Sequence, residues 1–365
     1  MNVLLVTKHL NIGGISRYVV NLAKGLKQNN INVFVASGTG VLKSELDKHK
    51  INHYKIDFNT KNEFNPFLFR QYLQLRKIVK DNDIDIVHAQ ERVTQVLCGL
   101  IAKYNDIKVI STCHGIYRVR FLRKIFPFFG DRVIAVSDYC RRLILDNFKI
   151  KEKKVKLINN GIDLSRFNQL DSLEKEALRN KYGLEKTDLV IGNIARFSPD
   201  KGLDLLLEVF KRVHDFLPQA KLVIVGGGPQ EESLRFKAKA LGITNDVRFL
   251  GFVNETKEPL SVMDVFCTTT KYESFGLSVL EAMAVGVTVV VSCVGGLKEL
   301  VQDSVNGYCV EYDKLDCFTD RLIELLSNNS LRLGMAAQAQ KFCFENFNID
   351  NCVKKTIEVY KQVLI

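Results

Sequence analysis

The chain has 365 residues, 46% hydrophobic and 25% charged, a composition typical of a folded globular protein rather than a disordered one. Its length favours two domains, each with a core of its own. The net charge of +11 predicts attraction to an anionic membrane or a phosphorylated substrate; nucleic acid is disfavoured because the sequence has no zinc-finger spacing, basic heptad helix or RNA-binding aromatic motif.

The sequence also indicates a compartment. No apolar run reaches the roughly 18–20 residues that span a bilayer, and residues 1–7 resemble a first strand rather than a signal peptide. The nine cysteines, an odd number without CxxC pairs, disfavour a disulfide framework or a zinc site. We therefore expect a cytoplasmic protein with reduced thiols.

Short apolar, β-branched runs alternate with segments of helical periodicity in the first half of the chain. This alternation predicts βαβ units and a doubly wound, mostly parallel sheet. The predicted strands are residues 2–7, 31–36, 51–56, 84–88, 109–113, 132–136 and 155–158. Ligands bind at the carboxyl ends of strands in such sheets, so the residues after each strand are the candidates for a site.

Two features follow predicted strands of the first half. Gly13 and Gly14 open the first helix, where the missing side chains would let a ligand approach the backbone; simple turn geometry is the alternative. This turn is not GxGxxG, and no acidic residue ends the second strand, which disfavours a nicotinamide dinucleotide. His88 and His114 each close a strand, where a histidine usually makes a buried hydrogen bond. Ligand contact is an equal alternative for His114, which a glycine follows, and is less favoured for His88.

No metal site is predicted. The one Asp-x-Asp pattern, Asp83 with Asp85, precedes its strand and so lies at the amino edge of the sheet, away from ligands. It is interpreted as a solvated turn.

Residues 117–129 combine four basic with seven apolar side chains. A basic, aromatic-rich amphipathic segment is typical of proteins that bind the interface of an anionic membrane. An ordinary helix that covers the sheet is the alternative. The candidate residues of this surface are Arg118, Arg120, Phe121, Arg123, Lys124 and Phe128.

The βα alternation restarts after a polar stretch, 168–186, that contains the predicted linker. The strands predicted there are residues 189–194, 221–225, 247–250, 265–268, 288–292 and 308–310. Because two helical stretches with no strand between them end the chain, the last helix is predicted to cross back to the first domain. The expected domains are therefore 1–168 with a crossover helix at about 346–365, and 169–345.

Three loops at the ligand edge of the second predicted sheet carry candidate residues. Arg196 and Lys201 lie on a loop between a strand and a helix, and a bidentate arginine with a compact lysine charge suits a diphosphate. Taken alone, such a pair is usually solvated. Gly226, in a Gly-Gly-Gly-Pro turn, would let a flat ring or a phosphate approach the backbone. Gly295 and Gly296 form a third turn of this kind.

The most informative stretch is residues 271–286, which follows an apolar strand. Ser274 is the expected start signal of the next helix, which puts Glu273 on the turn and Glu281 about two turns along that helix. Backbone N–H groups of Phe275, Gly276 and Leu277 would hold an anion, and carboxylates beside an anion site suit sugar hydroxyls. The combination suggests a phosphorylated sugar; two glutamates on a solvated helix are the alternative.

The ordered set of Arg196 with Lys201, Glu273-x7-Glu281 and Gly295-Gly296 resembles the retaining glycosyltransferases of family four (glycosyl transferases group 1). The resemblance covers nearly the whole chain, and in the first half it includes Gly13-Gly14 and His114-Gly115. It implies the GT-B architecture, with two Rossmann-like doubly wound domains facing across a cleft. The donor would bind mostly to the second domain and the acceptor mostly to the first.

The resemblance also implies roles. Arg196 and Lys201 would neutralise the donor diphosphate in place of a metal, Glu273 would hold sugar hydroxyls, and Glu281 would bind the ribose. His114 would contact the sugar near the reacting face. The remaining donor-binding positions implied are Gly14, the backbone N–H groups of Phe275, Gly276 and Leu277, the turn at Gly226, and Phe252 with Val253, which would meet the base.

The predicted function is a metal-independent, retaining transfer of a hexose-type sugar from a nucleotide sugar to a glycan or lipid-linked acceptor. We expect no cofactor beyond this co-substrate, a role in cell-envelope polysaccharide or lipopolysaccharide synthesis, and a peripheral position on the inner face of the membrane. Two alternatives stay open: a sugar-nucleotide epimerase on a similar fold, and a non-catalytic homologue that binds a glycan or a partner.

Overall fold

The computed structural model describes residues 1–58, 60, 65–66, 68–103, 106–115, 121–168 and 170–365, and for residues 121 and 122 only the backbone. Within this part the chain forms two compact units, residues 1–162 with 347–365 and residues 163–346. Each unit contains one parallel sheet with helices between its successive strands. The predicted α/β class and doubly wound topology are confirmed.

The sheet of the first unit begins at its centre and winds outward on both sides, in the order β3-β2-β1-β4-β5-β6-β7. The strands are β1 (Asn2–Val6), β2 (Asn32–Ser37), β3 (Asn52–Lys55), β4 (Ile86–Ala89), β5 (Lys108–Cys113), β6 (Arg132–Ala135) and β7 (Val155–Leu157). β4 is buried along its whole length because helices cover both faces of the sheet. That double burial explains why the strands read as continuous apolar runs.

The helices of the first unit pack their apolar stripes on this sheet. They are α1 (Gly14–Gln28), α2 (Lys43–Lys48), α3 (Leu68–Asp81), α4 (Arg92–Ala102), α5 (Phe121–Ile125) and α6 (Asp138–Phe148). In α1 the buried residues Tyr18, Leu22 and Leu26 recur every four positions, the spacing of one helical face.

The sheet of the second unit has the order β10-β9-β8-β11-β12-β13, the arrangement of a dinucleotide-binding fold. Its strands are β8 (Leu189–Ile194), β9 (Ala220–Val225), β10 (Val247–Gly251), β11 (Val265–Thr268), β12 (Thr288–Ser292) and β13 (Tyr308–Val310). The helices are α7 (Ser172–Lys181), α8 (Leu203–Phe216), α9 (Glu231–Ala240), α10 (Lys257–Ser261), α11 (Leu277–Ala284), α12 (Leu297–Leu300), α13 (Leu315–Ser327) and α14 (Asn329–Asn346).

The boundary between the units lies six residues earlier than the predicted end of the first domain at residue 168. Residues 163–168 belong to the second unit because the 3-10 turn Leu164–Phe167 packs on α11. The Phe167 side chain is buried, and Arg166 forms an ion pair with Glu255.

The last helix, α15 (Ile349–Leu364), returns to the first unit and packs on α1. The returning chain is joined to the outgoing one by backbone hydrogen bonds, from Ile162 N to Phe347 O at 2.9 Å and from Ile349 N to Ile162 O at 3.0 Å. Tyr360 of α15 is fully buried, and its hydroxyl lies 2.7 Å from Nδ1 of His88. None of the described helices combines the length and the apolar character needed to cross a bilayer.

Candidate functional site

The loops that follow β8, β9, β10, β11 and β12 meet at the carboxyl edge of the second sheet, because parallel strands present their carboxyl ends together. The loop after β8 is joined to the loop after β11 by hydrogen bonds that its backbone carbonyls accept. Lys271 N donates to Asp200 O at 2.8 Å, Thr270 Oγ1 donates to the same carbonyl at 2.9 Å, and Thr269 Oγ1 donates to Gly202 O at 2.8 Å. These contacts bring two segments of the predicted site together.

Lys201 and Glu273 form an ion pair at this edge, with Nζ 2.7 Å from Oε2. Both side chains are largely buried, with 22% and 23% of their surface exposed. The other carboxylate oxygen of Glu273 accepts the backbone N–H of Ser274 at 3.1 Å. The pair therefore has a fixed position, which exposed ion pairs usually lack.

Gly202 makes this arrangement possible. It has a left-handed φ of +62°, and a Cβ placed on it would lie 2.0 Å from the carbonyl oxygen of Thr269. Only glycine combines this dihedral with so close a backbone approach. Gly202 thus holds the neighbouring Lys201 against the segment that carries Glu273.

Arg196 is less constrained than Lys201. Its side chain is 69% exposed, Nε donates to Ser198 Oγ at 3.2 Å, and Nη2 lies 3.6 Å from Asp200 Oδ1. A guanidinium so exposed can turn toward a phosphate at little cost, whereas Lys201 is already held in place.

The Gly295–Gly296 turn packs on the segment that carries Glu273. Gly296 N donates to Glu273 O at 3.0 Å, and a Cβ on Gly296 would lie 2.3 Å from Ser274 O. The third predicted glycine turn therefore lies beside the turn that carries Glu273.

The start of α11 differs from the prediction. Gly276, with a φ of +105°, precedes the first helical residue, Leu277, and is the N-cap residue instead of Ser274. Since the helix begins later than expected, Glu281 lies about one turn inside it rather than two. The side chain of Phe275 is buried, so a ligand would contact this residue through its backbone, the role that the resemblance implies for it.

The turn around Gly226 packs between the loops after β8 and β10. Gly226 N donates to Gly251 O at 2.8 Å, and a Cβ on Gly226 would lie 1.9 Å from Ala195 O. Phe252 covers the neighbouring Gly227 with a ring that is 64% exposed, and Val253 is partly buried. These positions therefore lie at the same sheet edge as Arg196.

In the first unit the corresponding edge carries Gly13, Gly14 and His114. Gly13 precedes α1 in extended conformation, and both glycines are exposed. His88 is fully buried, with Nδ1 near Tyr360 and Nε2 2.7 Å from Thr112 Oγ1, and burial lowers its pKa to about 3. It is a structural residue, as the sequence favoured.

His114 follows β5 and is partly exposed. Its Nε2 lies 2.9 Å from Oε1 of Gln90, and its ring meets the Tyr18 ring edge-on at a centroid distance of 4.7 Å. Burial lowers the pKa of His114 to about 3, so the imidazole is neutral at pH 7. A neutral ring can bind a hydroxyl but brings no charge for a phosphate.

Sequence reasoning missed the residue beside Gln90, Glu91. It follows β4 at the ligand edge, accepts hydrogen bonds from Thr7 Oγ1 at 2.9 Å and Lys8 N at 3.1 Å, and burial raises its pKa to about 7. The signal was its place three residues after the end of the predicted strand 84–88.

The basic, aromatic segment is only partly as expected. Arg118 and Arg120 fall outside the described residues, as does the side chain of Phe121; Arg123 and Lys124 lie on α5. Phe128 is not part of an exposed apolar face, because its ring lies under the Arg92 guanidinium at 5.7 Å and against Gly99.

Among the described side chains of the segment, Ile125 and Phe126 are the exposed apolar ones instead, at 51% and 52%. Pro127 of the segment lines a depression together with Ile150 and Lys154 of the lysine-rich stretch 149–156. The segment therefore ends at the amino edge of β6, opposite the ligand edge.

Two family models match the chain in succession. "Glycosyltransferase Family 4" matches residues 12–166, and "Glycosyl transferases group 1" matches residues 174–342. The first match ends and the second begins close to the boundary between the two units.

Comparison with individual proteins gives similar results. The N-acetyl-alpha-D-glucosaminyl L-malate synthase of Bacillus anthracis is 26% identical over 98% of this chain and 96% of its own. The UDP-Gal:alpha-D-GlcNAc-diphosphoundecaprenol alpha-1,3-galactosyltransferase of Escherichia coli is 24% identical over 81% of this chain and 80% of its own. The crystal structure of HepE from Anabaena with UDP and glucose matches with a TM-score of 0.89 and 20% identity, over 99% of this chain and all of that one, a likeness of fold.

Proposed function

The chain belongs to the glycosyltransferases that these two models describe, and on that premise we propose that it transfers a hexose-type sugar from a nucleotide diphosphate sugar, with retention of configuration. The acceptor would be a glycan or a lipid-linked molecule of cell-envelope polysaccharide or lipopolysaccharide synthesis. The observation that carries the proposal is the Lys201–Glu273 pair at the carboxyl edge of the second sheet. It supplies a cation for a diphosphate and a carboxylate for sugar hydroxyls, side by side.

The proposed chemistry is electrostatic. Lys201 and Arg196 would neutralise the charge that grows on the diphosphate as the bond from the sugar C1 to the phosphate oxygen breaks. The acceptor hydroxyl would form its bond to C1 on the same face and pass its proton to the departing phosphate oxygen. Glu273 would hold the sugar hydroxyls, and Glu281 the ribose. No metal or further cofactor takes part in this proposal.

We expect one nucleoside diphosphate to stabilise the protein against heat. A ligand at 100 times its dissociation constant adds about 2.7 kcal/mol to the free energy of unfolding, because it binds only the folded state. UDP, GDP, ADP and NAD are compared, with and without EDTA, in the wild type and in Arg196→Ala. The expected result is a shift with one diphosphate that EDTA does not change and that Arg196→Ala lacks.

The other outcomes separate the alternatives. Stabilisation that EDTA abolishes would contradict the metal-independent proposal. An isomeric nucleotide sugar formed without acceptor would identify an epimerase. No shift with any nucleotide would favour a non-catalytic binding protein.

We also propose that the protein is cytoplasmic and binds an anionic membrane through the end of α5 and the adjoining lysines. Residues 123–156 contain ten lysines and arginines and four carboxylates, a net charge of +6 out of +11 for the whole chain. Ile125 and Phe126 would enter the headgroup region while the lysines contact anionic lipid. The E. coli relative is named for a diphosphoundecaprenol-linked substrate, which agrees with a lipid-linked acceptor.

Charge reversal tests this surface. Lys124→Glu with Lys153→Glu should weaken binding to vesicles of equal parts phosphatidylglycerol and phosphatidylcholine by about 2 kcal/mol or more, roughly thirtyfold, since each lysine contributes about 1 kcal/mol. Lys239→Glu with Lys361→Glu changes the net charge equally at exposed positions elsewhere and serves as the control. Equal binding of the two double variants in a sedimentation assay would rule this surface out.

A further inference from the structure

Gln90 lies directly after β4 and is buried, with 1% of its surface exposed. Its backbone N donates to Val6 O at 3.0 Å, and its side-chain Nε2 donates to His88 O at 3.4 Å. A carbonyl oxygen can only accept a hydrogen bond, so the amide nitrogen of Gln90 must face His88. The amide oxygen Oε1 therefore faces His114.

This orientation determines where the proton of His114 lies. Oε1 of Gln90 is an acceptor only, so Nε2 of His114, 2.9 Å away, must carry the hydrogen. With its pKa lowered to about 3 by burial, the ring holds one proton at neutral pH, which leaves Nδ1 as a lone pair. Within the described residues no hydrogen bond reaches this nitrogen, while the Tyr18 ring edge supports the imidazole plane.

We propose that Gln90 is a positioning residue that fixes His114 as a neutral hydrogen-bond acceptor for a hydroxyl group of the bound sugar. The inference rests on the proposed function and on the sugar contact that the family resemblance implies for His114. A lone pair at Nδ1 attracts an O–H group and repels a phosphate or carboxylate oxygen. His114 therefore selects for a hydroxyl at one ring position of the sugar, and Gln90 controls that selection without touching the sugar.

The tautomer can be measured directly on the free protein. Long-range ¹⁵N–¹H correlation spectra of histidine-labelled wild type should show a protonated Nε2 and an unprotonated Nδ1 for His114 at pH 7. Gln90→Leu should give a mixture of tautomers, and Gln90→Glu should raise the pKa of His114 because a carboxylate stabilises the imidazolium. Gln95→Leu, another buried glutamine, should leave the His114 signals unchanged.

Kinetics test the link to the sugar. Gln90→Leu should lower kcat/KM about tenfold, the effect of one misdirected hydrogen bond. The wild type should use one monodeoxy donor analogue with a lower kcat/KM than the natural donor. In both Gln90→Leu and His114→Ala this difference should disappear. Gln90→Glu should lose activity at pH values below its raised His114 pKa, because a protonated Nδ1 no longer accepts a hydrogen bond. The pH profile of the wild type should not show this loss. A merely structural glutamine would change none of these selectivities.

A protonated Nδ1 in the wild type, or an unchanged tautomer in Gln90→Leu, would overturn the proposal. The proposal would also fail if Gln90→Leu discriminated against every deoxy analogue as strongly as the wild type does. Failure of the proposed function has a different signature, because no nucleotide would then stabilise the protein whatever the tautomer of His114. The spectra and the thermal shifts therefore test the two ideas separately.

Discussion

Replacing Lys201 by methionine is expected to lower kcat/KM by roughly a hundredfold to a thousandfold, the usual cost of removing one preorganised electrostatic group from a reacting centre. The loss has two sources. The proposed diphosphate loses a cation, and the Glu273 carboxylate, 2.7 Å from the missing ammonium, is left unneutralised beside it. If the second source contributes, removing the Glu273 charge should restore part of the nucleotide affinity. Lys201→Met with Glu273→Gln should bind nucleoside diphosphate more tightly than Lys201→Met alone, since the repulsion is gone.

A second lysine–glutamate pair of the same unit provides the control. Lys237 pairs with Glu208 between α9 and α8, away from the loops at the carboxyl edge of the sheet. Lys237→Met should leave kcat/KM within about twofold, because surface ion pairs contribute little. Nucleotide affinity is measured by calorimetry for the wild type, the two single variants and the double variant. If the double variant bound no better than Lys201→Met, Glu273 would have no electrostatic influence on the diphosphate.

Gly202→Ala should be a strongly damaging substitution for its small size. Its methyl group would meet the Thr269 carbonyl at 2.0 Å, so one of the two loops must move. We expect a loss of more than about 3 kcal/mol in the free energy of unfolding, which combines left-handed strain with the displaced backbone. In protein that still folds, Lys201 would move away from Glu273 and kcat/KM would fall at least about tenfold.

Gly242→Ala separates the two causes. Gly242 has nearly the same left-handed φ, +73° against +62°, but a Cβ there meets no atom within 4 Å. It should cost only the strain, about 1 kcal/mol, and leave activity unchanged. Thermal denaturation and kinetics of both variants check this. Equal losses of stability would mean that the approach to Thr269 is of no consequence.

The fold could be predicted from the sequence because burial on both faces makes most of the parallel strands continuous apolar runs. All thirteen predicted strands occur in the described residues, with ends that differ by at most two positions. The candidate residues of the second unit could be found one loop at a time. That Lys201 meets Glu273, 72 positions away, depends on the packing of Gly202 on Thr269, which no local pattern reveals.

Three differences have local causes. Ser274 has the chemistry of a helix cap, but the left-handed Gly276 delays the helix start. Phe128 is an aromatic residue of the kind found at membrane interfaces, but its ring lies under Arg92. Its backbone is left-handed, with a φ of +50°, which could not be foreseen for a phenylalanine. Gln90 was passed over because a single amide after a strand carries no chemical signature until its neighbours are known.

The return of α15 to the first unit has a consequence for synthesis on the ribosome. α1 emerges early, but the helix that covers it, with Val353 packed over Gly25, follows the whole of the second unit in the chain. Translation of residues 163–346 takes roughly ten to forty seconds at usual elongation rates, and the apolar strip of α1 stays uncovered for that time. The second unit, continuous in sequence, can fold first. Folding of the two units can thus run against the order of their translation.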